Sequence, residues 1–111
     1  MRSFLAAGLP LALMGILGAG PARAQPLMEN LAALAVASRW CKDYTIDIES
    51  GLKLALSKGM NPTKLPYSKP FDEAKEKLEG VLGEVGVNRF CSVTYERFKP
   101  GGPVPGFMVK N

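Results

Sequence analysis

Residues 70–86 read PFDEAKEKLEGVLGEVG, and this stretch decides the fold class. Phe71, Ala74, Leu78, Val81, Leu82 and Val85 recur at helical spacing, so one apolar stripe runs the length of a helix over Pro70–Val85. Asp72 and Glu73 fall in its first turn, where the helix dipole favours negative charge, and Glu73 with Lys77 makes a favourable i, i+4 pair. Gly86 stops the helix and places Val87 for the hydrophobic contact that follows a glycine C-cap. Gly80 and Gly83 each cost about 1 kcal/mol relative to alanine, and close packing against another helix is preferred to a hinge as their reason.

The flanking segments extend the pattern. Downstream, Asn88–Phe98 suits a helix capped by Asn88 with Cys91, Tyr95 and Phe98 on one face, although Phe90, Val93, Thr94 and Tyr95 would also suit a strand. Helix is preferred, because a lone strand has nothing obvious to pair with. Upstream, Met60–Pro70 is a loop broken by Pro62, Pro66 and Pro70, with Tyr67 placed to pack its ring onto the core. Asn61-Pro62-Thr63 is no glycosylation acceptor, since proline holds the middle position. Before the loop, Thr45–Lys58 reads as a helix with Thr45 at the N-cap and Asp47 and Glu49 in the first turn. Its stripe is Ile48, Leu52, Ala55 and Leu56, and Gly59 stops it. Pro26–Trp40 is the first helix, with Pro26 at the first helical position and so few charges that much of it must be covered. After Lys99 the run Pro100-Gly101-Gly102-Pro103 and then Pro105-Gly106 excludes regular structure. Phe107-Met108-Val109 closes the chain with an apolar clip that either docks on the body, the preferred reading, or waits for a partner.

Residues 1–24 read as an export signal: a basic start at Arg2, an apolar run from Phe4 to Gly18, and Ala22-Arg23-Ala24 before Gln25. The run falls short of the about 20 residues that span a bilayer, so no integral membrane segment is expected after cleavage. The mature chain, 25–111, divides into a helical domain (25–99) and a Gly/Pro-rich tail (100–111). Cys41 and Cys91 are its only cysteines, and in an oxidising compartment they are expected to form a disulfide closing a loop of 51 residues. Loss of Arg2 and Arg23 leaves twelve basic against ten acidic side chains, a formal +2 in place of +4. That near-neutral balance, without a basic run, argues against nucleic acid as a partner. The chain has no histidine, which excludes histidine-based triads, general bases and metal sites. No cofactor and no metal are expected.

Three local patterns could suggest chemistry. Ser50-Gly51-Leu52-Lys53 matches the S-x-x-K motif of penicillin-recognising enzymes, but their other motifs are missing and the domain is too small for a two-part site. Asp43, Asp47 and Glu49 cluster, yet capping explains Asp47 and Glu49, and no EF-hand loop is present. Trp40, beside Cys41, is expected to plug the core over the disulfide rather than anchor a partner. If a partner does dock, the contacts expected of this chain are Trp40, Tyr67, Phe107 and Met108.

The stretch Trp40-Cys41-Lys42-Asp43-Tyr44, followed by Glu49-Ser50, resembles the HdeA-type periplasmic acid-stress chaperones. That family too is small, exported, largely helical and held by one disulfide. The resemblance implies that below about pH 3 the ten carboxylates lose charge. The twelve cations then repel, the fold loosens within its disulfide, and apolar faces become available to unfolded clients.

The expected architecture is all-α: a small bundle of about four short helices stapled by one disulfide. The expected role is non-enzymatic, a periplasmic or secreted protein that holds unfolded clients under acid stress. The alternative is an inhibitor or immunity protein that binds a periplasmic enzyme through the Met60–Pro70 loop and the tail.

Overall fold

The computed structural model describes residues 19–111, with side chains from Pro26 onward. The segment read as an export signal therefore lies, through residue 18, outside the described residues. The fold is the expected small all-helical one. Helix α1 (Ala19–Trp40) is followed by β1 (Tyr44–Ile46), α2 (Ile48–Ser57), α3 (Ser68–Val85), α4 (Val87–Phe98) and β2 (Met108–Lys110). A disulfide joins Cys41 to Cys91, with 5.6 Å between their Cα atoms across a sequence separation of 50.

Helix α1 is the axis of the bundle. Met28, Leu31, Ala32, Leu34, Val36 and Ala37 are all buried, so neighbours cover it on more than one side, as its low charge predicts. It begins before Pro26, which lies inside the helix rather than at its first position. The preceding Ala, Arg and Gln residues are strong helix formers and continue the helix upstream.

Helix α2 packs on α1 through Gly51 and Ala55, its two buried residues. A Cβ at Gly51 would lie 3.1 Å from Leu34 Cδ1 and 3.3 Å from Leu31 Cδ1, so the missing side chain sets how closely the helices approach. The expected stripe is only half correct. Ile48 and Ala55 pack inward, whereas Leu52 and Leu56 face solvent. The N-cap is also corrected from Thr45 to Asp47, whose carboxylate accepts from Ser50, while Thr45 is taken into β1. The Gly59 stop stands, at a φ of +74° that favours glycine.

Helix α3 matches its predicted span within two residues, but none of its side chains is fully buried. Two expectations for it are corrected. A Cβ at Gly80 or Gly83 would meet nothing within 4 Å, so these glycines face open space and no helix packs on them. Among the described residues the one ion pair is Glu96–Lys99, so Glu73 and Lys77 remain apart. Val87 opens α4 and is over a third exposed. The single residue Gly86, at φ +91°, turns the chain from α3 into α4, a helix as preferred.

The tail docks. Gly102 sits where a Cβ would come within 2.8 Å of the Glu96 and Arg97 carbonyl oxygens, so only glycine lets the turn fold so tightly onto the end of α4. The chain then returns to pair β2 antiparallel with β1, in the register Tyr44–Lys110, Thr45–Val109 and Ile46–Met108. Asn111 extends the ladder by donating from its amide nitrogen to the Asp43 carbonyl at 3.1 Å.

Two apolar clusters result. One surrounds the disulfide and holds Leu34, Val36, Phe90, Phe98 and Met108. The other holds Met28, Leu31 and Ala55, with Tyr67 and Phe71 packed against it.

Candidate binding groove

The contacts anticipated from sequence do not converge. Met108 is 1% exposed and Phe107 packs edge-on to Phe98, with ring centroids 6.3 Å apart, so both belong to the core. Tyr67 packs its ring onto the second cluster, as expected. Trp40 is corrected in the other direction. It is 39% exposed, at the last position of α1, and the Arg39 guanidinium lies 5.5 Å from its ring centroid. Val36, Ala37, Phe90 and Phe98 cluster with the disulfide cysteines in its place.

The catalytic patterns are absorbed by local structure. The Ser50 hydroxyl donates to Asp47 Oδ2 at 2.7 Å, and its backbone N–H donates to Oδ1 at 3.0 Å. These bonds make Ser50 part of the α2 cap and hold the Asp47 carboxyl below the usual carboxylate range. Likewise, the hydrogen bond to Glu96 raises the Lys99 ammonium above its ordinary value. Among the described residues no three His, Cys, Asp or Glu side chains are placed to hold a metal ion.

A broad concavity lies between α3 and α4. It has a volume of about 690 Å³, within the range of small-molecule sites. Leu78, Val81 and Val85 line it from α3, Phe90, Val93 and Thr94 from α4, with Ala33 of α1 beneath. A second hollow of about 230 Å³ shares Ala33, Leu78, Val81 and Arg97 and continues along α3 toward Ala74. Val81, Val85 and Val93 are 38%, 42% and 63% exposed, a cluster of large aliphatic side chains left uncovered at one site. The cause is local. Helix α3 rests on α1 and α4 by half-buried contacts of Leu78 and Leu82, which leaves the other edge of its stripe bare.

Sequence reasoning placed Val81 and Val85 on the apolar stripe of α3 and did not see the groove. The available signal was on α4, where Arg89, Val93 and Arg97 recur every fourth residue and put an aliphatic side chain between two cations.

The fold and groove define a class: a small helical domain, stapled by one disulfide, with an open apolar groove. Compared with protein-family models, with curated proteins and with solved structures, the chain matches none of them. Among the described residues no helix is long and apolar enough to cross a membrane.

Proposed function

We propose that the mature chain is an exported, non-enzymatic interaction protein that holds unfolding clients in the periplasm under acid stress. The observation that carries this reading is α3: an amphipathic helix with no buried side chain, beside exposed Val81, Val85 and Val93. A helix so lightly covered opens at low cost.

Its charge supplies the acid trigger. Helix α3 holds five carboxylates (Asp72, Glu73, Glu76, Glu79, Glu84) against Lys69, Lys75 and Lys77, a net −2. The rest of the chain from Gln25 carries nine cations and five anions, a net +4. At neutral pH the two parts attract. With every carboxylate protonated they become +3 and +9, and the attraction turns to repulsion. The disulfide keeps the opened chain tethered.

The test is near-UV circular dichroism from pH 7 to pH 2 alongside a client-aggregation assay. Loss of the near-UV signal together with client protection is expected. A chain that stays rigid at pH 2 and protects nothing sinks the idea. A second reading, an inhibitor or immunity protein, draws support from Leu65, which is 78% exposed on the proline loop and stands out as an apolar anchor. A single stoichiometric enzyme partner co-purifying from periplasm would favour it.

A further inference from the structure

The α3–α4 groove has a chemistry that narrows its occupant. The larger hollow offers no free hydroxyl on its floor. Its one hydroxyl, on buried Thr94, donates to the Phe90 carbonyl at 2.7 Å. Whatever lies along that floor is best apolar over its whole length, because burying an unpartnered polar group is costly. The groove is also long. On α3 the larger hollow runs from Val85 to Leu78, about 10 Å at the helical rise, and the smaller, more polar one continues to Ala74.

The larger hollow carries charge on Arg89, Glu96 and Arg97, and the smaller one adds Glu29 and Lys77 beside the polar Asn30. Arg89 and Arg97 lie eight residues apart on α4 and mark opposite ends of the larger hollow. Glu96 and Glu29 line the groove near Arg97, whereas no carboxylate lines it beside Arg89. Arg89 makes no ion pair, since the one pair among the described residues joins Glu96 to Lys99. The positive potential is therefore least compensated at the Val85 end.

We infer that this groove binds a free medium-chain fatty acid, its acyl chain along Val85, Val81 and Leu78 and its carboxylate on the Arg89 guanidinium. An apolar body with one anionic end matches the apolar floor of the larger hollow, where Arg89 is the cation with no carboxylate lining the groove beside it. The same groove carries the client-holding role above, but fatty-acid binding at neutral pH does not depend on acid opening.

Titration calorimetry of the purified chain with monomeric laurate tests this, with dodecyltrimethylammonium as the same chain bearing the opposite charge. One laurate per chain is expected, bound more tightly than the cation. Val81→Glu should weaken laurate by at least about tenfold by placing a charge on the floor. Arg89→Gln should weaken it by about threefold, the scale of an exposed ion pair, and Arg97→Gln by less. All three sites are solvent-exposed, and far-UV circular dichroism checks that the variants stay helical. Equal affinity for the two amphiphiles, or no effect of Val81→Glu, overturns the assignment. So does binding to anionic phosphatidylglycerol vesicles without binding to monomeric laurate, or a dimer in sedimentation that Val81→Glu dissociates. A chain that ignores laurate yet protects clients at pH 2 fails here alone and leaves the chaperone reading standing.

Discussion

Met108 lies opposite Ile46 in the β1–β2 ladder and is 1% exposed, so the last residues of the chain close onto the segment that follows the disulfide. The pairing fixes the tail against the bundle. Phe107 adds to it, donating from its backbone N–H to the Phe98 carbonyl at 3.1 Å and accepting from the Asp47 N–H at 2.8 Å. The tail is thus part of the domain, and its removal should be felt throughout.

Met108→Ala is expected to destabilise the fold by about 2–5 kcal/mol, the cost of emptying a buried methionine site. Urea denaturation followed by circular dichroism measures it. Val109→Ala, one residue along on the exposed side of the ladder, serves as the contrast. A loss as large for Val109→Ala as for Met108→Ala would contradict the register.

Reduction of Cys41–Cys91 should remove about 4 kcal/mol, the chain-entropy estimate for a loop of this size. The measurement is the urea midpoint with and without a reductant. Because both cysteines are buried in the main cluster, the Cys41→Ala/Cys91→Ala chain should be destabilised in the same direction. A midpoint unchanged on full reduction would count against the staple.

Asp47 supplies a defined pH dependence. Its hydrogen bonds to the Ser50 hydroxyl and N–H lower its pKa in the folded state from an ordinary 3.8. A depressed carboxylate pKa means stability that is fully present above the unfolded value and lost as pH falls through the folded one. The contribution should therefore be intact at pH 7 and fade below about pH 4. Asp47→Ala should lower the melting temperature at pH 7 and lower it by less at pH 3. An equal deficit at both pH values would mean that the cap does not act through its charge.

The glycines separate into opposite groups. Gly80→Ala and Gly83→Ala should each stabilise α3 by about 0.5–1 kcal/mol, since an added methyl meets open space and helix propensity improves. Gly51→Ala should destabilise, because its methyl would crowd the Leu31 and Leu34 side chains. Thermal melts of the three variants give the signs directly, and a stabilising Gly51→Ala would show that α2 can shift on α1.

Much of the architecture was legible because it is local. The stripe of Phe71 to Val85, the stops at Gly59 and Gly86 and the lone cysteine pair each carry their meaning in a few neighbouring residues. The two strands were not legible, since Tyr44–Ile46 becomes a strand only when Met108–Lys110 returns across most of the chain to pair with it. Long-range pairing also decided Thr45, which the ladder takes from the helix and leaves Asp47 as cap. The groove was hidden for a related reason. Periodicity shows that Val81 and Val85 share a face, but not that α1 and α4 cover only part of it.

The electrostatic hold on α3 can be tested without touching its apolar stripe. Glu76→Gln, Glu79→Gln and Glu84→Gln together would change its net charge from −2 to +1, with little change in helix propensity. At pH 7 the attraction to the net +4 remainder should then be replaced by weak repulsion, so α3 should open more readily than in the parent. Binding of an apolar fluorescent dye should rise, and the loss of near-UV signal on acidification should begin at a higher pH. At pH 2 the parent's own carboxylates are protonated, so parent and variant should converge. In about 1 M salt the Debye length shrinks to roughly 3 Å, and the difference at pH 7 should shrink with it. A triple variant that opens at the same pH as its parent, in low salt, would show that burial alone holds α3 and that its carboxylates are not the trigger.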